Sequence, residues 1–540
     1  MVESIVLKAK KQPSVSLSTE ILHHKLSIAI EQFIPEEFIS FDLKIVFKEP
    51  IVAFRNHDYT WVNCTTDCIA GKYAPKIIKL ANGTIIQPNV TAGIWEVQKS
   101  NPKVLLWRFN PPNAYPLTVY TGRQNERVVE GANQMVVLNE PLALLFSDKS
   151  SIEFSRSPIP FAAVACFTDH CDFDTLESLK LQRAFFKQTN IKVTKGFFLN
   201  HFSKRDDNAS WEVHQQEFEK WKQDGHELAY HSLSQSLKNK AESFTDFQNF
   251  IPPLEEVPTW IDHGFQPYNF SLYRNYGKTD LAYSTNLAEK KITNLWNYID
   301  SGTSSLGVIN QLNPNDFTLN SFYNGIKTLS FRSKASQLIK NILFHYYANE
   351  KLIHNYKATA ESFKQLVFQK KIGASFKLLK NACSISIPLL KVFLFWDSHK
   401  NKPYKLAKYT PLVFNHTILN NEFTIFQTLE MVDFKKSLHP KAIDKLIDEN
   451  GMFIAHTYFS VPLEYHEGRM FKSNTEIDER VNANFTYLGE KIKDQQIWNP
   501  TLNELVLFLA NFDKLVLDID TSGTIIVRHQ ADIPYRILNE

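Results

Sequence analysis

The feature that most constrains the fold is a continuous apolar run at residues 161–167, FAAVACF, which predicts a strand buried on both faces. Residues 175–188 follow with helical spacing, and residues 193–199, VTKGFFL, have the pattern of a second strand. A helix over residues 211–223 and the strand-like HELAYHS at residues 226–232 continue the alternation. Strands that alternate with helices form parallel sheets or barrels, so the sequence predicts an α/β fold. Functional residues of such folds gather at the carboxyl ends of the strands.

The length of the chain, 540 residues, is too great for one ordinary core, so two or three domains are expected. Residues 1–154 contain short β segments separated by turns and predict an N-terminal β-rich domain of antiparallel strands. Residues 155–515 contain the α/β pattern, which a basic and mostly helical insertion interrupts at about residues 301–410. The final segment, residues 516–540, is predicted to form a C-terminal β-hairpin.

Charge is distributed unevenly along the chain. The net charge is +3, but residues 321–410 contain 16 Lys and Arg against only three acidic residues. Such a concentration favours an anionic partner, for instance a membrane surface that contains acidic lipids. The alternative is an ordinary lysine-rich helical face that contacts only water. A nucleic acid is not expected as a partner.

Cysteine usage and apolar segments predict the location. Five cysteines in so long a chain do not form a disulfide framework. The N-terminal residues MVESIVLKAKKQPS lack the apolar core of a signal peptide. The longest apolar stretch, residues 385–396, contains Pro388 and Lys391 and is too short to cross a bilayer. We therefore expect a cytoplasmic protein, with peripheral attachment to the inner face of the membrane as a variant of that location.

The densest group of chemically active side chains comes directly after the first predicted α/β strand, in the sequence TDHCDFDT. It contains Asp169, His170, Asp172 and Asp174. Burying three carboxylates and an imidazole at the end of a strand costs free energy unless they bind a cation or a charged substrate. Turn formation and helix capping are the alternative, and they explain one such Asp more readily than three.

A second group lies in residues 225–236, GHELAYHSLSQS. Its two histidines are five positions apart, so they do not share a helix face as the i and i+4 histidines of zinc proteases do. A strand that ends at His231 is the more natural interpretation. The alternative is a structural histidine that only makes hydrogen bonds.

The order of these motifs resembles the polysaccharide deacetylases, the NodB-like carbohydrate esterases. The first motif of that family is rich in Asp and corresponds to CFTDHCDFDT, and the second corresponds to GHELAYHSLSQS. The third motif falls near TWIDHG and QPY. The last motif, a late strand that ends in a histidine, corresponds to GMFIAHTYF. The similarity covers residues 160–300 and 410–515. Gln235 stands where the family has its second metal-binding histidine. No Arg occupies the third motif, where Gln266 is the closest residue.

The resemblance implies an irregular (β/α) barrel of the NodB type and a deacetylase. Its substrate would be an N-acetylated or O-acetylated polysaccharide, or the lipid-linked precursor of one, in cell-surface polysaccharide metabolism. The family also implies a divalent metal, which we expect to be zinc. Its expected ligands are Asp172, His231 and Gln235, with His263 as the other candidate for the third position.

The resemblance also implies roles for the remaining motif residues. Asp169 is expected to be the catalytic base, and His456 is expected to protonate the departing amine. The residues expected to contact the glycan are His170, Asp174, His263 and Tyr268.

Two other functions compete with this prediction. A neutral amide oxygen such as that of Gln235 binds zinc weakly, so a catalytically inactive, deacetylase-like protein that binds glycan or acts as a scaffold is the alternative. In the second competing function, the basic insertion is the main functional part and attaches the protein to an anionic membrane. Such attachment is compatible with either function, because it brings a lipid-linked saccharide close.

Overall fold

The computed structural model describes residues 1–9, 12–30, 40–121, 127–138, 140–276, 280–297, 308–370, 374–431, 433–461, 469–473, 475–529 and 532–539. The first residues of the predicted insertion, 301–307, and residues 371–373 within it therefore lie outside the described residues. The same holds for residues 530, 531 and 540 of the predicted C-terminal hairpin.

Short strands occupy the first part of the chain, and buried side chains alternate with more exposed ones along several of them, most regularly over Phe41–Phe47. In chain order the strands are β1 (Val2–Ala9), β2 (Val15–Leu17), β3 (Lys25–Ile28), β4 (Phe41–Phe47), β5 (Ile51–Arg55), β6 (Trp61–Asn63), β7 (Cys68–Ala70), β8 (Ile78–Leu80), β9 (Ile85–Pro88), β10 (Ile94–Val97), β11 (Val104–Phe109), β12 (Pro116–Tyr120), β13 (Arg127–Gly131), β14 (Leu142–Ser147) and β15 (Ser150–Phe154).

These strands form a β-sandwich. One antiparallel sheet has the order β2-β1-β4-β11-β10-β7 and the other has the order β3-β14-β9-β8-β5-β6. Apolar side chains of both sheets meet in one buried cluster, which includes Leu43 and Phe54. Trp95 and Trp107 lie in the same cluster with their rings edge to face, 6.0 Å between centroids. β12 and β13 form a separate hairpin.

The rest of the chain contains a further set of strands and the helices. The strands are β16 (Ala163–Asp169), β17 (Thr194–Phe197), β18 (Glu227–His231), β19 (Thr259–Ile261), β20 (Asn294–Trp296), β21 (Val413–Ile418), β22 (Asn421–Phe426), β23 (Leu429–Glu430), β24 (Met452–Thr457), β25 (Phe471–Ser473), β26 (Glu476–Ile477), β27 (Ile497–Trp498), β28 (Val516–Ile519), β29 (Ile525–His529) and β30 (Tyr535–Asn539).

The helices are α1 (Leu176–Thr189), α2 (Trp211–Gln223), α3 (Lys240–Asn249), α4 (Asp280–Glu289), α5 (Leu319–Gly325), α6 (Phe331–Asn341), α7 (Glu350–Val367), α8 (Ala374–Leu394), α9 (Trp396–His399), α10 (Phe434–Ser437), α11 (Pro440–Asp448), α12 (Glu479–Lys493) and α13 (Leu502–Ala510). A π-helical turn (Ile342–Tyr346) follows α6. Both α1 and α13 begin at a capping box, in which Thr175 pairs with Ser178 and Thr501 pairs with Glu504.

The central element of this second region is a curled, mixed sheet. Its order is β21-β22-β20-β19-β18-β17-β16-β24-β23, and β27 also pairs with β16. Neighbouring strands run parallel except for the β21–β22 pair. Side chains of β16 alternate between two buried clusters: Ala163, Ala165 and Phe167 lie on one face, and Val164 and Cys166 lie on the other.

The predicted (β/α) barrel is wrong, because this sheet does not close. Closure requires the two edge strands to pair. In the described residues, β21 pairs only with β22 and the two-residue strand β23 pairs only with β24, so the sheet is a half-barrel. The face that carries Val164 and Cys166 packs against Leu502, Leu505 and Leu509 of α13.

The basic segment is helical from α5 to α9. Its base belongs to the main core, where Leu319, Phe322, Leu338 and Tyr404 are buried. The helices α7 and α8 pack against each other as a hairpin. Among the helices of the described residues, none combines the length and the apolarity needed to cross a bilayer.

The C-terminal segment lies against the sandwich. The strands β28 and β29 form a hairpin, and β30 pairs antiparallel with β15. Leu517 and Ile525 of the hairpin form a small buried cluster with Leu145 and Ile152. The final strands therefore connect the half-barrel region to the first domain.

Candidate metal centre

Four parallel strands of the half-barrel direct their carboxyl ends to one place. His170 and Asp172 follow β16, His231 is the last residue of β18, His263 comes two residues after β19, and His456 is the penultimate residue of β24. Because these strands run parallel in one sheet, in the order β19-β18-β17-β16-β24, their carboxyl ends meet at one edge. The sheet order therefore gathers histidines that lie far apart in the sequence.

The core of the site is a buried group formed by His170, Asp172 and His231, which can hold a metal ion. One donor atom of each residue lies within 4.8 Å of the others. His231 Nε2 is 2.9 Å from Asp172 Oδ2. His170 is almost completely buried, and its Nε2 has no hydrogen-bond partner among the described residues. A buried nitrogen without a partner is costly unless a ligand satisfies it, so the donor set fits a cation.

His263 offers a further donor beside this group, next to Asp172 and His231. Its Nδ1 is 2.9 Å from Asp172 Oδ1 and 3.2 Å from His231 Nε2. Its Nε2 is 2.7 Å from the carbonyl oxygen of Gln235. A hydrogen bond from Nε2 to a carbonyl leaves Nδ1 as the metal-binding atom, which is the usual arrangement around a ligating histidine. Ligands of tetrahedral zinc lie about 3.3 Å apart, close to the distances among Asp172, His231 and His263.

Charges in the group favour a bound cation. Burial alone would raise the pKa of Asp172, but His263 and His231 hold that pKa well below its usual value, so Asp172 is ionised. Burial and the neighbouring histidines, His456 above all, hold the pKa of His170 well below its usual value. His170 is therefore a neutral imidazole, the form that binds metals.

Backbone geometry positions His231. The next residue, Ser232, is in the left-handed region at φ 57°, which is uncommon for a residue with a side chain. Its hydroxyl donates to Asn269 Oδ1 (2.8 Å) and accepts from the backbone N–H of His263 (3.0 Å), so one residue fixes the segments that carry two donors. Gly196 of β17 lies between the flanking strands, where a Cβ would overlap the carbonyl oxygen of Asp169.

An aromatic cluster surrounds the metal-binding group. The rings of His170 and His456 are stacked, with 3.9 Å between centroids. Trp296, at the end of β20, contacts both rings edge to face, and Tyr458 lies within 5.0 Å of both. Together these rings fix the orientation of the His170 imidazole.

Asp169 and Asp174 lie in a separate ionic network. The Lys195 ammonium contacts Asp169 Oδ2, Asp174 Oδ2 at 2.5 Å and Gln182 Oε1 at 2.8 Å. Burial alone would lower the pKa of Lys195, but the two carboxylates raise it above its usual value, so the ammonium is charged. Asp169 Oδ1 also accepts from Thr457 Oγ1 (3.2 Å). The structure thus places the expected base against a lysine, not in the metal-binding group.

Gln235 and Tyr268 also contact protein atoms. Gln235 Nε2 donates to the backbone carbonyl of Asp172, and its Oε1 accepts from Ser203 Oγ. Gln235 therefore positions the Asp172 segment. Tyr268 is buried and stacked on Phe247, with 5.0 Å between ring centroids, and so belongs to the core.

No family model, curated protein or solved structure matches this chain. The resemblance to the polysaccharide deacetylases therefore stays a prediction from motifs.

The group is accessible from one side. The side chains of Asp172 and His263 are 12% and 14% exposed, whereas His170 and His231 are sealed. Phe265, two residues after His263, is an exposed aromatic. A surface groove of about 600 Å³ is lined by Phe202, Lys204, Leu237, Lys238, Asn239, Ala241, Glu242, Thr245 and Asp246.

The sequence predictions did not include Lys195, Trp296 or Tyr458 in the site. A signal for Lys195 was present, because it is the one charged residue in the strand-like run VTKGFFL. A lysine in a buried strand needs a carboxylate partner, and the nearest carboxylates in the sequence are those of the Asp-rich segment after the preceding strand. Trp296 had no comparable signal, since its proximity depends on the order of strands in the sheet.

Proposed function

We propose that this protein is a metal-dependent hydrolase that removes acetyl groups from a glycan. The observation that carries the proposal is the convergence of His170, Asp172 and His231 donor atoms within 4.8 Å, at the carboxyl edge of a parallel sheet and partly open to solvent. Three such donors are what a catalytic zinc needs from a protein.

Three ligands are assigned to the metal: Asp172, His231 and His170, with His263 as the alternative to His170 in the third position, for which the sequence indicated Gln235. Either set leaves the fourth position of a tetrahedral ion open. Zinc is the first choice because nitrogen and carboxylate donors suit it, and a site of histidines and one carboxylate also suits ferrous iron. When bound, such an ion polarises a carbonyl oxygen and lowers the pKa of a water molecule.

The remaining residues position the reacting groups. Asp169 accepts hydrogen bonds from the Thr457 hydroxyl and, at 3.1 Å, from the Phe459 backbone N–H. It therefore acts as a positioning residue that fixes the segment after His456. His456 is not one of the metal-binding residues. We therefore assign to its imidazole the role of general acid, which protonates the departing amine.

The glycan is assigned to the open side of the group. Phe265 presents an aromatic ring near His263, and such faces stack on the apolar faces of sugars. The groove lined by Phe202 and Lys238 has room for further sugar units.

The test combines metal analysis with acetate release. We expect the purified protein to bind one divalent metal and to release acetate from N- or O-acetylated oligosaccharides. Asp172→Asn and His231→Ala should lose both properties, whereas His354→Ala, which removes an exposed histidine on α7, should keep both. Retention of metal and turnover by Asp172→Asn would contradict the proposal.

A glycan-binding protein without turnover is the second candidate. It is favoured by the contacts of Asp169, because both oxygens of this carboxylate already accept hydrogen bonds, from Lys195, Thr457 and Phe459. Calorimetric binding of an acetylated oligosaccharide, with metal bound and no acetate released, would establish this candidate and exclude hydrolysis.

A further inference from the structure

The outer face of α8 carries a continuous apolar stripe that faces away from the fold. Successive members are three or four residues apart, and on a helix they cover an arc of about 80° over a length of about 27 Å. The large apolar members are 56–76% exposed. The stripe consists of Phe376, Leu379, Cys383, Ile387, Leu390 and Leu394.

The fold does not use this stripe for packing. The buried apolar residues of α8 are Ile385 and Val392, which lie on another face of the helix. Contacts with the preceding segment hold α8 in place: the Tyr347 hydroxyl donates to the Pro388 carbonyl (3.1 Å), and Asn355 Nδ2 donates to Ser384 Oγ (2.9 Å). An amphipathic helix of a globular protein normally turns its apolar stripe towards the core, so this one is available to a partner.

Basic side chains border the stripe. Lys377, Lys380 and Lys391 lie along one side of it, and α8 contains no acidic residue. All three are exposed, and none forms an ion pair with a described residue. On the neighbouring helix α7, Phe363 and Val367 are also exposed. The face therefore combines apolar surface with uncompensated positive charge.

We infer that the stripe of α8 is a docking surface for an anionic lipid bilayer. A helix with Phe and Leu on one face and Lys beside it lies in the plane of a membrane, with its apolar side chains among the acyl chains. Acidic headgroups attract the lysines, each of which strengthens binding by about fivefold. A second copy of this chain is the poorer partner, because it would bring two sets of lysines together. The inference is independent of the proposed catalytic function.

The test is sedimentation of the full chain with lipid vesicles. We expect binding to phosphatidylcholine vesicles that contain roughly 30% phosphatidylglycerol, much weaker binding to pure phosphatidylcholine, and loss of binding at high salt. The Leu379→Glu, Leu390→Glu double variant should lower the partition coefficient at least about tenfold. The Lys377→Gln, Lys380→Gln, Lys391→Gln triple variant should lower it about 100-fold on acidic vesicles.

The matched control is the Val213→Glu, Ile251→Glu double variant, which places the same charges on exposed apolar residues outside the insertion and should bind like the parent. Thermal unfolding checks that all variants are folded. The inference is overturned if the parent binds no vesicles, if the stripe variant binds as well as the parent, or if the stripe variant only loses self-association in the absence of lipid.

Discussion

Replacement of Lys195 by Met tests whether Asp169 and Asp174 are structural. The Lys195 side chain is fully buried and contacts both carboxylates and Gln182. Without the ammonium, two buried carboxylates face each other with no counter-charge, and removal of one member of a buried ion pair costs about 3–5 kcal/mol of unfolding free energy. Urea unfolding followed by tryptophan fluorescence measures the loss.

Lys192→Met is the matched control, because Lys192 lies three residues away and pairs with Glu504 at 2.9 Å on the surface. Both of these side chains are 46% exposed, and such pairs contribute about 0–1 kcal/mol. Equal losses for Lys195→Met and Lys192→Met would refute the buried network. An Asp169→Asn variant that unfolds like the parent and yet releases no acetate would instead identify Asp169 as a catalytic base.

Three further outcomes are expected. Gln235→Ala should weaken metal affinity by about 10–100-fold, because Gln235 positions the backbone carbonyl of Asp172 without binding the metal itself. Competition with a chelator measures the affinity, and an unchanged value would contradict this role. Phe265→Ala should raise KM for an oligosaccharide about 2–10-fold with kcat unchanged, since it loses one stacking contact; a fall in kcat alone would argue against a sugar platform. Burial lowers the pKa of Lys76 to about 7, so between pH 7 and about 10.5 the unfolded state binds an extra proton and stability rises with pH. Lys76→Met should flatten this rise in urea unfolding at several pH values, and an unaltered slope would exclude Lys76 as its source.

Local patterns in the sequence predicted the segments that carry the candidate site. The apolar run before Asp169 and the strand that ends at His231 both predicted side chains at strand ends, because burial and period are local properties. The role of each residue within the site was harder to predict from the sequence. His170 was expected to contact glycan and lies in the metal-binding group, since its orientation depends on its stacking against His456.

The architecture was predicted only in part, for a physical reason. Alternation of strands and helices indicates a parallel sheet, but it does not determine whether the sheet closes. The open edges depend on strand pairing, which no local pattern encodes: β21 pairs antiparallel with β22 at one edge, and the two-residue β23 forms the other. Similarly, Asp169 and Lys195 are 26 residues apart, and only the pairing of β16 with β17 brings them together.

The pairing of β15 with β30 has a consequence for synthesis on the ribosome. Ser150 to Phe154 emerge early, and the strand that hydrogen-bonds to them, Tyr535–Asn539, emerges several hundred residues later. Until then the backbone groups of β15 lack that partner, and Ile152 lacks its contacts with Leu517 and Ile525. Contacts between segments so distant in the sequence form late and slowly. A nascent chain therefore exposes the unpaired edge of β15 until β30 has been synthesised.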